Sequence, residues 1–336
     1  MKILLSSMMF LSLLSAPSYA DQYLIDEMES LKLSLEKNDP DRTELSLRLA
    51  DLYFDVSIQE GEGTQRIEQR KKALKLYQDA LFARDGLREL SARKKIIIKF
   101  QIARVLNKLN QQNEAKPYFN AVYSSQLANK KLKRESAFSL AEYYEEKINF
   151  NKSNEFYLKA IELCETHESL NYAHYKRAWL HYKEAKLEIA ISELKLSLFE
   201  KDGLVRDKVV NDLFLFFSAR VTNGDPELAY VKKLIKKTGK KDLVKRLVEA
   251  FYGAGNRLAG STVLVQLNEQ NPDPFYEMRL LEEFYGFRDV DRLDKYLSRL
   301  ENRSLVDIPR DKEEAIEFKA MLKRVIVQFA SETETN

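Results

Sequence analysis

The sequence predicts an all-α fold in which short helical hairpins follow one another along the chain. The clearest hairpin is Asn171–Leu198, where two amphipathic patterns are separated by a polar turn at Lys183–Lys186. Ala178 and Ala190 lie twelve residues apart in this hairpin, and small residues at such places let two antiparallel helices approach closely. Glycine and proline are sparse, 10 and 7 in 336 residues, and strand-like alternation is missing. These observations favour helices throughout.

The hairpin recurs along the chain. Ala103 and Ala115 repeat the twelve-residue offset, whereas a polar insertion at Glu60–Thr64 lengthens the first hairpin. The small residue of the second helix falls at Ala73, Ala115, Ser153, Ala190, Ala229 and Gly260, with gaps of 42, 38, 37, 39 and 31. A hairpin of this size cannot bury its apolar face alone, so we expect the units to stack on their neighbours.

The repeated order of residues is aromatic, leucine, small and aromatic, then alanine, phenylalanine and proline. In this respect the chain resembles tetratricopeptide repeat proteins over about Asp41–Leu300. The resemblance implies a right-handed α-solenoid of helix hairpins. Two segments, LSLRLADLYFD and GDPELAYVKKLIKK, also resemble envelope-associated repeat proteins of predatory and gliding bacteria. That second resemblance implies a role in an envelope or motility assembly, but it assigns no function to any particular residue.

This interpretation divides the chain into six segments. They are a signal peptide at 1–20, an N-terminal capping helix at 21–40, repeat units one to four at 41–205, degenerate units five to seven at 206–302, a C-terminal capping helix at 303–330 and a disordered tail at 331–336. Unit five is degenerate because Phe217 replaces a small residue and Lys233 replaces an apolar one, although Ala229 keeps the second small position. Terminal helices that cap the array are expected of repeat proteins.

The N-terminus has the pattern of a secretory signal. Lys2 supplies the positive charge, Ile3–Leu14 the apolar segment, and Ser18-Tyr19-Ala20 a cleavage site of small residues. The alternative, an uncleaved membrane anchor, is disfavoured because spanning a bilayer takes about 20 apolar residues. Asp21, rather than a cysteine, follows the cut, so we do not expect a lipoprotein. The sequence therefore predicts an exported, periplasmic protein cleaved after Ala20.

The charge and cysteine content exclude several classes of protein. Removing Lys2 with the signal leaves 54 basic residues against 52 acidic ones, which gives no strong steering toward nucleic acid. Cys164 is the only cysteine, so the chain cannot form an intrachain disulfide bond.

No residue pattern indicates catalysis, a metal or a cofactor. His167, His174 and His181 are spaced by seven, about 10 Å along a helix, which is too far for neighbouring imidazoles to share a metal. We therefore expect packed or hydrogen-bonded histidines. The chain has no G-x-S-x-G turn, and GAGN at Gly253–Asn256 is interpreted as a turn between two helices rather than a phosphate-binding loop. An enzyme is the least favoured class.

The resemblance to tetratricopeptide solenoids implies that the first helix of each unit lines a concave, peptide-binding surface. Aligning the repeats on this basis gives the candidate groove residues Phe100, Arg104, Asn107, Phe138, Glu142, Glu145, Tyr172, Tyr175, Trp179, Tyr182 and Phe214. Aromatic residues near an arginine are typical anchors of peptide interfaces, although core packing is an alternative explanation for some of these rings. The family's basic clamp for a C-terminal carboxylate is not expected, because only Arg104 and Asn107 would suit it.

A lysine-rich stretch forms a second candidate site. Its members are Lys232, Lys233, Lys236, Lys237, Lys240 and Lys241. Their four-residue spacing places several ammonium groups along one helix and past its end. There they could contact lipid headgroups, a cell-wall polymer or an acidic partner. The alternative is an ordinary solvated helix face. The leading hypothesis is thus an exported adaptor that binds a protein or peptide in its groove, and the second is a peripheral binder of an anionic envelope surface.

Overall fold

The computed structural model describes residues 19–58, 64–200, 202–270, 273–289 and 291–293, and four single positions near the C-terminus. Its helices are α1 (Tyr19–Ser34), α2 (Pro40–Ile58), α3 (Thr64–Leu81), α4 (Ala92–Lys108), α5 (Gln112–Ser124), α6 (Lys130–Glu146), α7 (Phe150–Glu162), α8 (His167–Lys183), α9 (Leu187–Leu196), α10 (Asp207–Ser218), α11 (Asp225–Thr238), α12 (Leu243–Gly253), α13 (Arg257–Gln270) and α14 (Pro274–Gly286). Within these residues the only β feature is an isolated antiparallel bridge between Phe199 and Val205. The predicted all-α fold of tetratricopeptide-like hairpins is confirmed.

The helices form two compact units, Met1–Ala173 and His174–Asn336, and the division falls inside α8. In the first unit each helix from α1 to α7 packs against the next, and α4 also contacts α6. In the second unit α9 packs on α10, α10 on α12, α12 on α13 and α13 on α14, while α11 contacts α12 and α13. Sequence neighbours are therefore also neighbours in space. The predicted boundaries of the repeat units are not the boundary between these two compact units, and they stay a prediction.

Small residues hold the helices of a hairpin close together, as the offsets predict. Ala103, Ala115, Ala178 and Ala190 are fully buried. Ala229 is a correction, because it is exposed and the buried face of α11 is formed by its neighbours. A close approach in this region is made between hairpins, at Gly224 before α11, where a Cβ would lie 2.8 Å from the carbonyl oxygen of Ala259 on α13. Since the buried face is shifted, the sequence alignment of unit five was wrong in register.

The turns that end α4, α6, α8, α12 and α14 share one geometry, whereas α10 ends at Ala219 with a φ of −80°. A residue with positive φ stands there at Asn110, Ile148, Ala185, Gly255 and Arg288, with φ between 56° and 76°. The residue that follows donates its N–H to the carbonyl five residues back, as Asn149 does to Tyr144 over 2.9 Å and Asn256 does to Phe251 over 2.9 Å. This hydrogen bond satisfies a carbonyl that the helix end leaves open. The residue types differ at each turn, so the sequence pattern did not reveal it.

Each unit has its own apolar core. In the first, the large buried side chains include Phe54, Tyr77 and Phe119. In the second they include Phe216, Phe217 and Phe251. Within the described residues, no helix combines the length and apolar character needed to cross a bilayer.

Several predicted segments lie wholly or mainly outside the described residues. They are the signal peptide before Tyr19, the insertion at 59–63, the C-terminal capping helix at 303–330 and the tail at 331–336, of which only positions 320, 324, 327 and 331 are described. Helix α1, Tyr19–Ser34, occupies most of the segment predicted as the N-terminal cap.

Candidate functional site

The first helices of three successive hairpins, α2, α4 and α6, line two adjoining clefts in the first unit. The cleft between α4 and α6, here the α4–α6 cleft, has a volume of about 600 Å³ and includes Ile97, Phe100, Gln101, Arg104, Lys131 and Leu132. The second, here the three-helix cleft, has a volume of about 570 Å³ and includes Phe54, Ile58, Arg104, Asn107, Ser139 and Glu142. Arg104 belongs to both. Four of the predicted groove residues, Phe100, Arg104, Asn107 and Glu142, therefore meet at one surface.

Arg104 is oriented by uncharged neighbours. Its guanidinium carbon lies 4.9 Å from the centroid of the Phe54 ring, and its Nη1 donates a hydrogen bond of 2.9 Å to Oε1 of Gln101. No described carboxylate lies within 4.0 Å of the guanidinium. A planar guanidinium that is held on a ring and lacks a carboxylate retains most of its donors for a ligand.

Asp55 interacts with Arg104 through its charge, although the described residues show no ion pair between them. Burial raises the pKa of the Asp55 carboxyl, and the like charge of Asp51 raises it further, while Arg104 acts in the opposite direction. The Tyr77 hydroxyl donates a hydrogen bond to Asp51, whose Oδ1 is 3.4 Å from Nε2 of Gln101. Asp55 is exposed, and Glu142 and Glu146 line the three-helix cleft beside Arg104.

Uncharged polar side chains surround the three-helix cleft. Asn107, Asn110, Gln112 and Ser139 all line it. Among the described residues none of these four side chains has a hydrogen-bond partner. Amide and hydroxyl groups of this kind can pair with the main chain of an extended segment, because each offers both a donor and an acceptor.

The two predicted glutamates of α6 differ in role. Oε2 of Glu145 accepts a 2.9 Å hydrogen bond from the hydroxyl of Tyr157, and burial, together with the charges of Glu145 and Glu142, raises the pKa of that hydroxyl. Glu145 therefore helps to hold α6 against α7. Glu142 is a lining residue of the three-helix cleft.

Phe138 and Phe214 are corrections to the predicted groove. Phe138 is 6% exposed and packs its ring against Tyr157 and Tyr172, with centroids 6.3 Å and 5.3 Å away. Phe214 is 1% exposed in the core of the second unit. Both sit on the inner side of their helices, so neither ring is open to a ligand. Tyr172, which is 43% exposed, is accessible.

The other rings of α8 are used for packing in the second unit. Tyr182 stacks on Phe216 with centroids 4.3 Å apart, and Trp179 meets the same ring edge-on at 5.1 Å. The hydroxyl of Tyr175 donates to Asp212 over 2.8 Å. Trp179 is partly buried, and its Nε1 is enclosed without a partner among the described residues. These aromatic residues hold α8 against α10. On this face the rings therefore serve core packing, which was the alternative to a binding groove.

Sequence reasoning missed several lining residues of the clefts. Ile58 and Ile97, which are 43% and 41% exposed, stand at the clefts as large apolar side chains. Both lie on first helices, but neither is aromatic or charged, so the search for anchors passed over them. An isoleucine on the polar side of an amphipathic helix is the signal that could have found them.

Two of the three histidines contact carboxylates, and His167 contacts the amide of Asn171. Nδ1 of His174 lies 2.7 Å from Oε2 of Glu193, and Nδ1 of His181 lies 2.9 Å from Oε2 of Glu184. No set of three or more His, Cys, Asp or Glu in the described ranges is arranged to hold a metal ion. Cys164 lies just beyond the end of α7, where burial raises the pKa of its thiol.

The structure divides the predicted lysine run into two groups. Lys232 donates to Gln266 over 2.8 Å, Lys237 lies 3.6 Å above the centroid of the Phe199 ring, and Lys240 is 2.7 Å from Asp207. The remaining members, Lys233, Lys236 and Lys241, are exposed and have no partner in the described part of the chain.

No family model matches the chain, and no curated protein matches it. Solved structures that resemble it include BtubC from P. vanneervenii, with 14% identity over 78% of this chain and 95% of that chain at a TM-score of 0.45. Yeast Tom70 gives 16% identity over 93% of this chain and 60% of that chain at 0.41. A Rap protein complexed with Competence and Sporulation Factor gives 12% over 93% and 72% at 0.37. At these scores no statement about function rests on them.

Proposed function

We propose that the chain is a non-enzymatic adaptor that binds an extended protein or peptide segment in the α4–α6 cleft and the three-helix cleft. The observation that carries the proposal is Arg104, whose guanidinium stands where the clefts adjoin and has no carboxylate within 4.0 Å in the described residues. A guanidinium held on an aromatic ring between exposed apolar side chains is typical of the centre of a peptide interface.

The other lining residues support a peptide rather than a small metabolite. Ile58 and Ile97 offer apolar contact on either side of Arg104, and the free side chains of Asn107 and Ser139 can pair with peptide groups. An extended segment brings alternating side chains and unpaired main-chain groups, so it needs both kinds of partner. The two adjoining clefts together would hold several residues of such a segment.

The place of action is a further part of the proposal. The chain is exported to the periplasm and its first 20 residues are removed, an inference supported by Lys2, the apolar Ile3–Leu14 and the Ser18-Tyr19-Ala20 site. The partner is then a component of the cell envelope, in an envelope or motility assembly. N-terminal sequencing of exported protein should begin at Asp21.

Site-specific photocrosslinking tests the adaptor function. A photoreactive residue at Ile97 should crosslink one partner in cells, whereas the same residue at Leu158, which is also 41% exposed but lies on α7, should not. Arg104→Gln should abolish the crosslink, and Arg93→Gln, an exposed arginine on the same helix, should leave it intact. Equal crosslinking from both positions, or an Arg104→Gln variant that still crosslinks fully, would refute the proposal.

A second candidate function is peripheral contact with an anionic envelope surface through the end of α11. The stretch from Lys232 to Arg246 holds eight basic residues and one acid, Asp242. Several of its lysines have no intramolecular partner in the described residues, so their charge is available. Binding to anionic vesicles or cell-wall sacculi should weaken as ionic strength rises, because salt screens exposed charges over about 8–10 Å. Binding that is absent at every salt concentration would remove this candidate.

A further inference from the structure

A short turn with an exposed leucine stands beside the lysines of α11. The chain leaves α9, pairs Phe199 with Val205 in an antiparallel bridge, and places Leu204 66% exposed next to that bridge. The N–H of Glu200 donates to the Leu204 carbonyl over 2.7 Å, and Gly203 takes a φ of +85° to close the turn. The described contacts on either side of Leu204 leave its side chain in solvent.

Two contacts fix this turn to the lysine-rich helix. Lys237 lies 3.6 Å above the ring of Phe199, and Lys240 is 2.7 Å from Asp207, only three residues after Leu204. Arg246 of α12 also reaches Asp207, over 3.0 Å. The turn, the end of α11 and the start of α12 thus belong to one surface of the second unit.

The acids of this surface are almost all neutralised within it. Asp207 is held by Lys240 and Arg246, which lower the pKa of its carboxyl. Glu200 lies 3.1 Å from Arg206, and Asp242 lies 3.5 Å from Arg246. The lysines that keep their full charge for a ligand are Lys233, Lys236, Lys241 and Lys245, all exposed and without a partner in the described residues.

Asp202 is the acid that works against this charge. Its side chain is exposed and accepts the N–H of Leu204 over 3.0 Å. Asp202 therefore stabilises the turn, but it also places one negative charge beside Leu204.

An exposed leucine on a surface with unpaired lysines favours a bilayer over a polyanion as the binding partner. Polyanions such as cell-wall polymers offer charge but nothing apolar to cover Leu204, whereas a bilayer offers both phosphate headgroups and acyl chains. A leucine gains free energy when it leaves water for the interface, and each nearby lysine adds attraction to anionic lipid.

Building on the second candidate function, we propose that the surface is that of an anionic phospholipid bilayer, and that Leu204 inserts between headgroups while Lys233, Lys236, Lys241 and Lys245 contact phosphates. The orientation is peripheral, with only the turn entering the lipid.

Vesicle flotation tests the proposal with the full chain. Vesicles of phosphatidylglycerol and phosphatidylethanolamine are compared with vesicles of phosphatidylcholine alone and with cell-wall sacculi. Every variant carries the same residues 1–20, so any binding by the apolar N-terminus is common to all of them.

The first pair of variants tests the charge. Replacing the four free lysines by glutamine should lower affinity for the anionic vesicles roughly 600-fold, since each lysine contributes roughly fivefold. The matched control makes the same change at four exposed lysines of the first unit, Lys71, Lys75, Lys94 and Lys130, and should have a much smaller effect.

The second pair tests the insertion. Leu204→Ser should lower the affinity roughly fivefold, whereas Leu127→Ser, at a leucine that is 51% exposed in another turn, should leave it unchanged. In Leu204→Trp the added fluorescence should shift to shorter wavelength with anionic vesicles only. Asp202→Asn, which keeps the acceptor for Leu204, should strengthen binding.

The outcomes separate this inference from the function it rests on. If the lysine variant weakens binding but Leu204→Ser and Leu204→Trp show no effect, the surface is a plain polyanion contact and the bilayer inference is wrong. Binding to sacculi without binding to vesicles would also overturn the bilayer inference, in favour of a cell-wall polymer. If neither vesicles nor sacculi bind, the inference and the second candidate function both fail.

Discussion

Ile148 and Gly255 occupy the same position of the helical hairpin, although one side chain is β-branched and the other is absent. Both have positive φ, 57° and 76°, and both are followed by a residue that donates its N–H to the carbonyl five residues back. The backbone therefore accepts a left-handed residue at this turn whatever its side chain. For isoleucine that conformation is strained, because its Cβ crowds the following carbonyl.

Replacing Ile148 by glycine should stabilise the protein. Relief of the left-handed strain, offset by the greater freedom of glycine in the unfolded chain, should raise the free energy of unfolding by about 0.5–1 kcal/mol. Ile148 is 75% exposed, so little apolar burial is lost. Urea unfolding measures the change, and Gly255→Ile is the reciprocal control, which should destabilise. A less stable Ile148→Gly variant would contradict this account of the turn.

Leu140 and Leu158 should differ sharply on truncation. Leu140 is fully buried in the first unit, so Leu140→Ala should cost about 2–5 kcal/mol through lost burial and the cavity left behind. Leu158 lies on the next helix but is 41% exposed, and its change to alanine should cost much less. Tyr144, on the same helix, is only partly buried. Equal losses for the two leucines would show that α6 is not packed as described.

Removing Arg220 should leave a buried charge without its partner. The side chain of Glu227 is fully buried, and its Oε1 lies 2.5 Å from Nη1 of Arg220. Arg220→Met should cost about 3–5 kcal/mol, because the carboxylate cannot reach water. The double variant with Glu227→Gln should recover part of that loss, which thermal unfolding would detect. If the double variant is no better than the single one, the pair is not the reason for the loss.

Trp179 should report on the core of the second unit. Its ring packs edge-on against Phe216 and against Tyr182 at 5.6 Å, so its emission should lie at short wavelength and acrylamide should quench it weakly. Phe216→Ala should increase the quenching, and Trp179→Ala should cost about 3–5 kcal/mol of stability. Quenching as strong as that of free indole would restore the hypothesis that this ring is an open groove anchor.

Stability should fall at alkaline pH because of Tyr252. Burial, with the charge of Glu283, raises the pKa of Tyr252 to about 12, although Arg279 stacked 3.7 Å from the ring centroid acts the other way. Above its ordinary value of about 10 the tyrosine loses its proton in the unfolded chain but keeps it in the folded one, so stability is lost as pH rises from about 10 to 12. Unfolding measured at pH 9 and pH 11 should show the decrease, and Tyr252→Phe should reduce it. An unchanged slope in that variant would assign the effect to other tyrosines.

The fold could be predicted because small residues recur at fixed offsets. Ala103, Ala115, Ala178 and Ala190 identify the close contacts of their hairpins correctly. Ala229 failed because one alanine on a helix is no evidence of which side is buried, and the structure leaves it exposed. Turns at Lys183–Lys186 and Gly253–Asn256 were predicted, but their positive-φ geometry could not be foreseen, because the hydrogen bonds that define it involve only the backbone.

The candidate site was predicted in part, and the missing part has a physical cause. Arg104 and Asn107 were found because polar residues on a first helix have few reasons to be there apart from a surface role. Phe138 and Phe214 could not be separated from groove residues, since a helix with apolar residues on two sides does not reveal which side meets its neighbour. Ile58 and Ile97 were missed because neither is aromatic or charged.

The pairing of each helix with its neighbours along the chain has a consequence for how each unit reaches its native state. Because helices of successive hairpins pack on one another, most contacts close short loops, and little entropy is lost before the first contacts form. Such topologies fold in microseconds to milliseconds. A hairpin at the start of the array can dock on its neighbour before the later hairpins have been synthesised. The chain can therefore begin to bury its apolar surface while it is still being made.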